Sequence, residues 1–200
     1  MGRALHSNSG PTWIGESLGG SSTRVAEMAA RFTQVGLPAT ASDNIMGVVW
    51  SKFVRYCAIN PISAITGLRP GEIARDPAAA HLLARLLDEI LAVVERAGIR
   101  LPEHDPRVEI YDHAWKRYNR PSMQQHIEAC RQTEIDALNG ALLEKAHSLG
   151  MTAPVNEAVV ALVKAIEGER RLRATTPHFD EAELEALAQA NPRNGRWGTC

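Results

Sequence analysis

The stretch that decides the fold is DPAAAHLLARLLDEILAVVERAG, residues Asp76 to Gly98. Its opening Asp-Pro pair favours a helix start, because aspartate caps free backbone amides and proline fits the first helical position. Glycine at the far end is typical of a helix terminus. The apolar residues between them recur at helical spacing: Leu82, Leu83, Leu86, Leu87, Ile90, Leu91, Val93 and Val94. We therefore predict one long amphipathic helix with a broad apolar face.

Composition limits the function classes that remain. The chain has 200 residues and is 44% apolar, which suffices for a buried core in one ordinary domain. Lys and Arg total 22 against 23 Asp and Glu, so the net charge of −1 does not favour a nucleic-acid partner. No apolar run reaches the roughly 18–20 residues that span a bilayer. The three cysteines, Cys57, Cys130 and Cys200, form no CxxC pair, which favours reduced thiols in the cytoplasm.

The first part of the chain, residues 1–48, differs in pattern from the remainder. Apolar stretches at Pro11–Glu16 and Leu37–Ser42 are predicted strands, and Thr23–Val35 between them has helical spacing. Strand, helix, strand is the order of an α/β domain. Two strands are too few for a stable sheet of their own, so this part is interpreted as the end of a nucleotide-binding type of α/β domain.

The remaining chain is predicted to be helical over residues 49–168, with a polar tail at 169–200 that holds one short helix. The expected fold class is therefore mainly α, preceded by the α/β remnant. Pro61 lacks a backbone N–H and is predicted to kink or end the helix that contains it. Further expected elements are a helix over Val108–Tyr118, a capping box at Thr133–Asp136, a helix over Asn156–Ile166, a charged surface segment at Glu167–Arg173 and the tail helix at Asp180–Ala190.

Lys52, Tyr56 and Asn60 fall at spacings of four and eight residues in one helical segment. Residues so spaced share one face of a helix. A lysine beside aromatic surface can lose part of its hydration, which suits proton transfer near neutral pH. The alternative is an amphipathic lysine whose stem lies on a half-buried helix. Spacing alone does not separate these two interpretations.

Ser122 and Glu134 each open a helical segment. By themselves, the serine suits a helix cap and the glutamate complements the helix dipole in a first turn. The other interpretation is that both side chains face one cleft, since helix N-termini also favour an anionic ligand. Both alternatives stay open at this level.

Three longer stretches together resemble the C-terminal helical domain of the ketopantoate reductase (2-dehydropantoate 2-reductase) family. They are WSKFVRYCAINPISAITGLRPGEI at 50–73, PSMQQHIEACRQTEIDALNG at 121–140 and GMTAPVNEAVV at 150–160. The resemblance covers roughly residues 10–168. It implies NADPH-dependent reduction of a small 2-oxo acid, as in pantothenate biosynthesis, in a cytoplasmic and dimeric enzyme.

The resemblance also assigns roles to individual residues. Lys52 stands at the position of the family's catalytic lysine, which protonates the ketone oxygen as hydride arrives at carbon. Asn60 and Ser122 match residues that bind the substrate. Glu134 matches a glutamate near both the catalytic lysine and the cofactor. We expect Tyr56 to contact substrate, where the family usually carries asparagine.

The sequence also departs from the family pattern. Pro70 falls near a further substrate asparagine and has no side-chain donor, and His126 replaces an acid. The Gly-x-Gly-x-x-Gly turn that cradles a dinucleotide phosphate is absent from the sequence. These departures leave a second hypothesis, a non-catalytic helical dimerisation or interaction module. No metal site is expected, because no histidine pair has metal-ligand spacing.

Overall fold

The computed structural model describes residues 10–175 and 180–190. In chain order its elements are β1 (Thr12–Gly15), α1 (Thr23–Gln34), β2 (Ala39–Ser42), α2 (Ile45–Thr66), α3 (Pro70–Ile73), α4 (Pro77–Arg96), α5 (Pro106–Trp115), α6 (Ser122–Glu128), a π-helical turn (Asp136–Gly140), α7 (Ala141–Ser148), α8 (Pro154–Thr175) and α9 (Glu181–Ala190). The mainly helical fold class is confirmed. Cys200, at the end of the predicted tail, lies outside the described residues.

The α/β remnant is a single β-α-β unit. β1 and β2 pair in parallel, with Thr12 opposite Ala39 and Gly15 opposite Ser42, and α1 connects them. Ser22 caps α1 by accepting a hydrogen bond from the amide three residues on. Both strands lie inside the stretches that the sequence predicted, so the short remnant in front of the helical part is confirmed.

Helices α2 and α4 form the centre of the core, and α2 also packs against α6 and α8. The stripe predicted on α4 is buried as expected, and Asp76 caps the helix by accepting the Ala79 amide at 2.8 Å. Side chains from both helices make up the main cluster: Val54, Cys57, Ala58, Ile62, Leu83, Leu86, Leu87, Ile90 and Val93. This packing fixes α2 along its whole length, and α2 carries the predicted lysine.

Pro61 does not end α2, so that prediction was wrong. The helix continues to Thr66 and stops at Gly67, which takes a positive φ of 75°. Proline cannot donate to the carbonyl four residues earlier, which here belongs to Cys57. The buried amide of Asn139 supplies the missing donor, with Nδ2 at 3.0 Å from the Cys57 oxygen. A side chain 82 positions away in sequence thus replaces a backbone hydrogen bond.

The capping box at Thr133–Asp136 was also predicted wrongly. The Thr133 hydroxyl accepts from the Ile135 amide, whereas the Thr133 amide donates to Glu167 at 2.7 Å. Asp136 instead pairs with Lys164 at 2.6 Å. The following turn is π-helical, since the amide at 140 bonds to the carbonyl at 135.

Two helix boundaries differ from prediction. α5 begins at Pro106, because Asp105 caps it, and ends before the predicted Tyr118. α8 extends to Thr175, so the charged segment predicted after residue 166 is helical. The tail helix α9 is confirmed. Among residues 10–175 and 180–190, no helix is long and apolar enough to cross a membrane.

Candidate active site

One face of α2 presents the three residues that spacing had grouped. Lys52 and Tyr56 are exposed, whereas Asn60 is 8% exposed. The Lys52 Nζ lies 5.4 Å from the centroid of the Tyr56 ring. Within the described chain Lys52 makes no ion pair, so its ammonium group is available to a ligand.

This face borders two grooves. The first, the sheet-side groove, has a volume of about 890 Å³ and lies between the strand ends and the first turns of α2. Its lining includes Trp13, Ser42, Val48 and Lys52. Apolar and polar side chains are mixed along it, and Lys52 stands at the end where Tyr56 begins the second groove.

The second, the helix-side groove, has a volume of about 510 Å³ and lies between α2 and the segment that enters α6. Its lining residues are Arg55, Tyr56, Ile59, Asn60, Pro70, His113, Arg117, Asn119, Arg120, Pro121 and Ser122. Arg55 and Tyr56 line both grooves. The structure therefore gathers Tyr56, Asn60 and Ser122 around one space, with Lys52 next to it.

Glu134 lies behind this groove and outside its lining. Its Oε2 is 3.1 Å from His126 Nδ1, and the Ser122 hydroxyl is a second hydrogen-bond donor to it. Partial burial raises the pKa of Glu134, but hydrogen bonds from Ser122, the backbone and His126 outweigh burial and hold the pKa below its usual value. Glu134 is thus a carboxylate that connects to the groove through Ser122.

The contact between Ser122 and Glu134 decides between their two interpretations, since the two side chains do meet. Ser122 is the first residue of α6, and Pro121 occupies the cap position, so Ser122 does not cap the helix. The structure makes no ion pair or hydrogen bond between Glu134 and Lys52 in the part it describes. His126, which replaces a family acid, positions Glu134.

Sequence reasoning missed three groove residues, namely Arg55, His113 and Arg117. Arg55 Nη1 lies 3.2 Å from His113 Nδ1. Burial lowers the pKa of His113 to about 4, and the charges of Arg55 and Arg117 act in the same direction. A neutral His113 can accept a hydrogen bond from the arginine through Nδ1. Arg55 had a signal in the sequence, because it precedes Tyr56 on the same helix.

Comparison with known proteins places this geometry in a family. The family profile described as ketopantoate reductase PanE/ApbA C terminal matches residues 44–167. The chain belongs to this family. The ketopantoate reductase fold thus accounts for α2 through most of α8, the elements that carry both grooves.

Curated relatives of this ketopantoate reductase domain include two named 2-dehydropantoate 2-reductase. The protein from Archaeoglobus fulgidus is 32% identical over 167 residues, covering 83% of this chain and 56% of the relative. The protein from Shigella flexneri is 35% identical over 144 residues, covering 70% of this chain and 46% of the relative. The chain therefore spans about half the length of the curated relatives it matches.

Solved structures agree with this assignment. A PanE/ApbA family ketopantoate reductase from Ralstonia eutropha JMP134 is 30% identical with a TM-score of 0.74, over 83% of this chain and 54% of that one. A D-mandelate dehydrogenase solved with NADH and anilino(oxo)acetate is 27% identical with a TM-score of 0.63, over 72% and 48%. The family thus includes NAD(P)-dependent reductases with different 2-oxo acid substrates.

Proposed function

We propose that the chain provides the substrate side of an NADPH-dependent reductase that converts a 2-oxo acid, ketopantoate or a related compound, into the 2-hydroxy acid. One observation carries the proposal. Lys52, Asn60 and Ser122 match the family's lysine, asparagine and serine and come together around two adjoining grooves. No acidic side chain among the described residues lines the helix-side groove, which suits an anionic substrate.

Bound NADPH supplies a hydride to the ketone carbon of the substrate. The ketone oxygen then gains negative charge, and a donor at that oxygen lowers the barrier. Lys52 is placed to donate a hydrogen bond to this oxygen and then a proton, so that the carbonyl becomes a hydroxyl. Asn60 and Ser122 orient the acid in the helix-side groove, and Tyr56 shapes the wall on which it rests.

Glu134 acts in this scheme through Ser122 and at the cofactor end of the site. As an ionised carboxylate it accepts a hydrogen bond from the Ser122 hydroxyl, which turns the lone pairs of the serine oxygen toward the groove. His126 holds Glu134 from the other side. Glu134 is therefore proposed as a catalytic residue of the family type whose present contacts are those of a positioning residue.

The residues of the sheet-side groove fit one end of the cofactor. Trp13, Val48 and Val49 offer apolar surface beside Lys52, which suits the flat nicotinamide ring. The phosphate end is different, because residues 1–200 contain no Gly-x-Gly-x-x-Gly turn. We propose that the phosphates of NADP are held by a glycine-rich part that this sequence does not contain.

Titration of the isotope-labelled chain with ketopantoate, followed by NMR, tests the substrate side directly. We expect shifts at amides lining the helix-side groove and at least about tenfold weaker binding in Lys52→Ala, the loss of a charged hydrogen bond. Lys116→Ala is the control, because that exposed lysine pairs with Asp112 at 3.1 Å and lines neither groove. Unchanged affinity in Lys52→Ala would remove the proposal.

A second candidate is a helical dimerisation module without catalysis, and the missing glycine turn favours it. Light scattering of the chain together with calorimetric titration of NADPH separates the two hypotheses. A homodimer that binds neither ketopantoate nor NADPH supports the module. The free thiols of Cys57 and Cys130 agree with the proposed cytoplasmic location under either hypothesis.

A further inference from the structure

The charge of the helix-side groove exceeds what one carboxylate can balance. Its lining includes three arginines, of which only Arg120 has a carboxylate partner among the described residues, Glu128 at 2.6 Å. The guanidinium groups of Arg55 and Arg117 form no ion pair within the described chain. With Lys52 at the groove's edge, three cationic groups without a carboxylate partner in that part of the chain border the space where the acid would bind.

Arg55 is the best placed of these groups to contact a ligand. It is three residues after Lys52 and five before Asn60, so it sits at an intermediate height on α2, about 4.5 Å along the axis from the lysine. It lines both grooves. It is half-buried, which weakens screening by water and strengthens any pairing with an anion.

His113 holds Arg55 in this position without neutralising it. The hydrogen bond from Arg55 Nη1 to His113 Nδ1 is 3.2 Å long. Since an arginine only donates hydrogen bonds, the histidine must accept at Nδ1 and stay neutral. The guanidinium therefore keeps its full charge and has further N–H groups free to donate.

Two acids lie on the other side of Arg55. Glu103 and Glu109 line a small cavity of about 110 Å³ together with Arg55 and Ser51. Glu103 accepts a hydrogen bond from the Ser51 hydroxyl. Neither glutamate comes within 4 Å of the Arg55 guanidinium as an ion pair in the described structure. Both acids therefore leave the arginine's charge available on the groove side.

We infer that the groove takes a 2-oxo acid carrying a second anionic group, a short 2-oxo dicarboxylic acid, and that Arg55 is the residue that selects it. This inference rests on the proposed function, because Lys52, Asn60 and Ser122 must bind the keto-acid end. Arg55, with Arg117 behind it, then pairs with the distal carboxylate. Arginine suits this role because its fork binds both oxygens of a carboxylate.

Two matched probes test the inference on the chain itself. 2-Oxoglutarate and 2-oxopentanoate have the same carbon chain length and the same keto-acid end, and only the former has a distal carboxylate. Titrations followed by NMR measure both affinities, and the Arg55 Nε–H signal reports contact directly. We expect 2-oxoglutarate to bind at least about tenfold more tightly, as one charge-assisted hydrogen bond implies.

Variants assign the preference to the residue. In Arg55→Gln the two affinities should become equal, with binding of 2-oxopentanoate unchanged, while Arg55→Lys should retain part of the preference. Arg117→Gln gives a second, smaller loss and serves if Arg55→Gln fails to fold. Arg85→Gln is the control, because Arg85 lies on α4 beside Asp88 and lines neither groove.

The outcomes separate this inference from the proposed function. Equal binding of both acids by the unmodified chain, with Lys52→Ala weakening both, overturns the dicarboxylate inference and leaves the reductase proposal standing. A preference for 2-oxoglutarate that survives Arg55→Gln and Arg117→Gln also overturns it. Binding of neither acid removes both proposals.

Discussion

Replacing Asn139 by alanine should destabilise the fold, and replacing Pro61 by alanine should restore part of the loss. Asn139 is fully buried, and its Nδ2 donates to the Cys57 carbonyl at 3.0 Å and to Asn156 Oδ1 at 2.9 Å. Its truncation leaves the Cys57 oxygen without a donor, because Pro61 has no N–H to offer. Alanine at 61 returns that N–H.

The expected magnitudes follow from these contacts. A buried polar group left without its partner costs about 1–3 kcal/mol, and Asn139→Ala leaves two such acceptors. We therefore expect a loss of about 2–5 kcal/mol in the free energy of unfolding. With the asparagine present, Pro61→Ala should be close to neutral. In the Asn139→Ala background it should recover about 1–2 kcal/mol, which is the coupling energy of the pair.

Urea unfolding followed by circular dichroism measures all four proteins of this cycle. Leu142→Ala is the control background, since Leu142 is equally buried and its truncation should cost about 2–5 kcal/mol by leaving a cavity. Pro61→Ala should not rescue that variant. A coupling energy within error of zero for Asn139 and Pro61, or an equal rescue of Leu142→Ala, would refute the role of Asn139 as the substitute donor in α2.

Two further predictions concern the groove walls. Because burial and two arginines lower the folded-state pKa of His113 from 6.5 to about 4, the unfolded chain binds more protons in that range. The free energy of unfolding should therefore fall as pH drops from 6.5 toward 4, and His113→Gln should reduce this slope in denaturation at several pH values. Gly47→Ala would place a Cβ 2.3 Å from the Arg100 oxygen and should cost about 1–3 kcal/mol. Gly168→Ala meets no atom within 4 Å and should be neutral or stabilising by up to about 1 kcal/mol, so equal effects of the two glycine substitutions would contradict this packing.

Local patterns were enough to predict most of the architecture. The helix after Asp76, the two strands and the tail helix follow from caps and periodicity, which act over a few residues. The errors came from contacts between distant positions. Pro61 stays helical because of Asn139, and Thr133 does not form its box because Glu167 takes its amide. Neither partner is visible from the local sequence.

The candidate site divides in the same way. The shared face of Lys52, Tyr56 and Asn60 follows from spacing on one helix. The meeting of Ser122 with Glu134 depends on the irregular segment after α6, where Cys130 adopts a φ of 52°. The charge of the groove depends on Arg55 and Arg117 arriving from different parts of the chain, which periodicity does not reveal.

Glu89 shows how the core supports this site from behind. Its carboxylate accepts the amides of Val155 and Asn156, both at 2.9 Å, and the Asn156 side chain at 2.8 Å. The start of α8 is therefore held by a side chain of α4. Through Asn156 and Asn139 the same chain of hydrogen bonds reaches α2 at Cys57, one residue beyond Tyr56.

The π-helical turn at Asp136–Gly140 makes the length of this segment matter. Its wider turn holds one residue more than a regular helix would, between Glu134 and the residues of α7. Deleting that extra residue would leave an ordinary helix, but it would rotate everything on one side by about 100° relative to the other. Evolution can therefore exchange side chains here far more easily than it can add or remove a position.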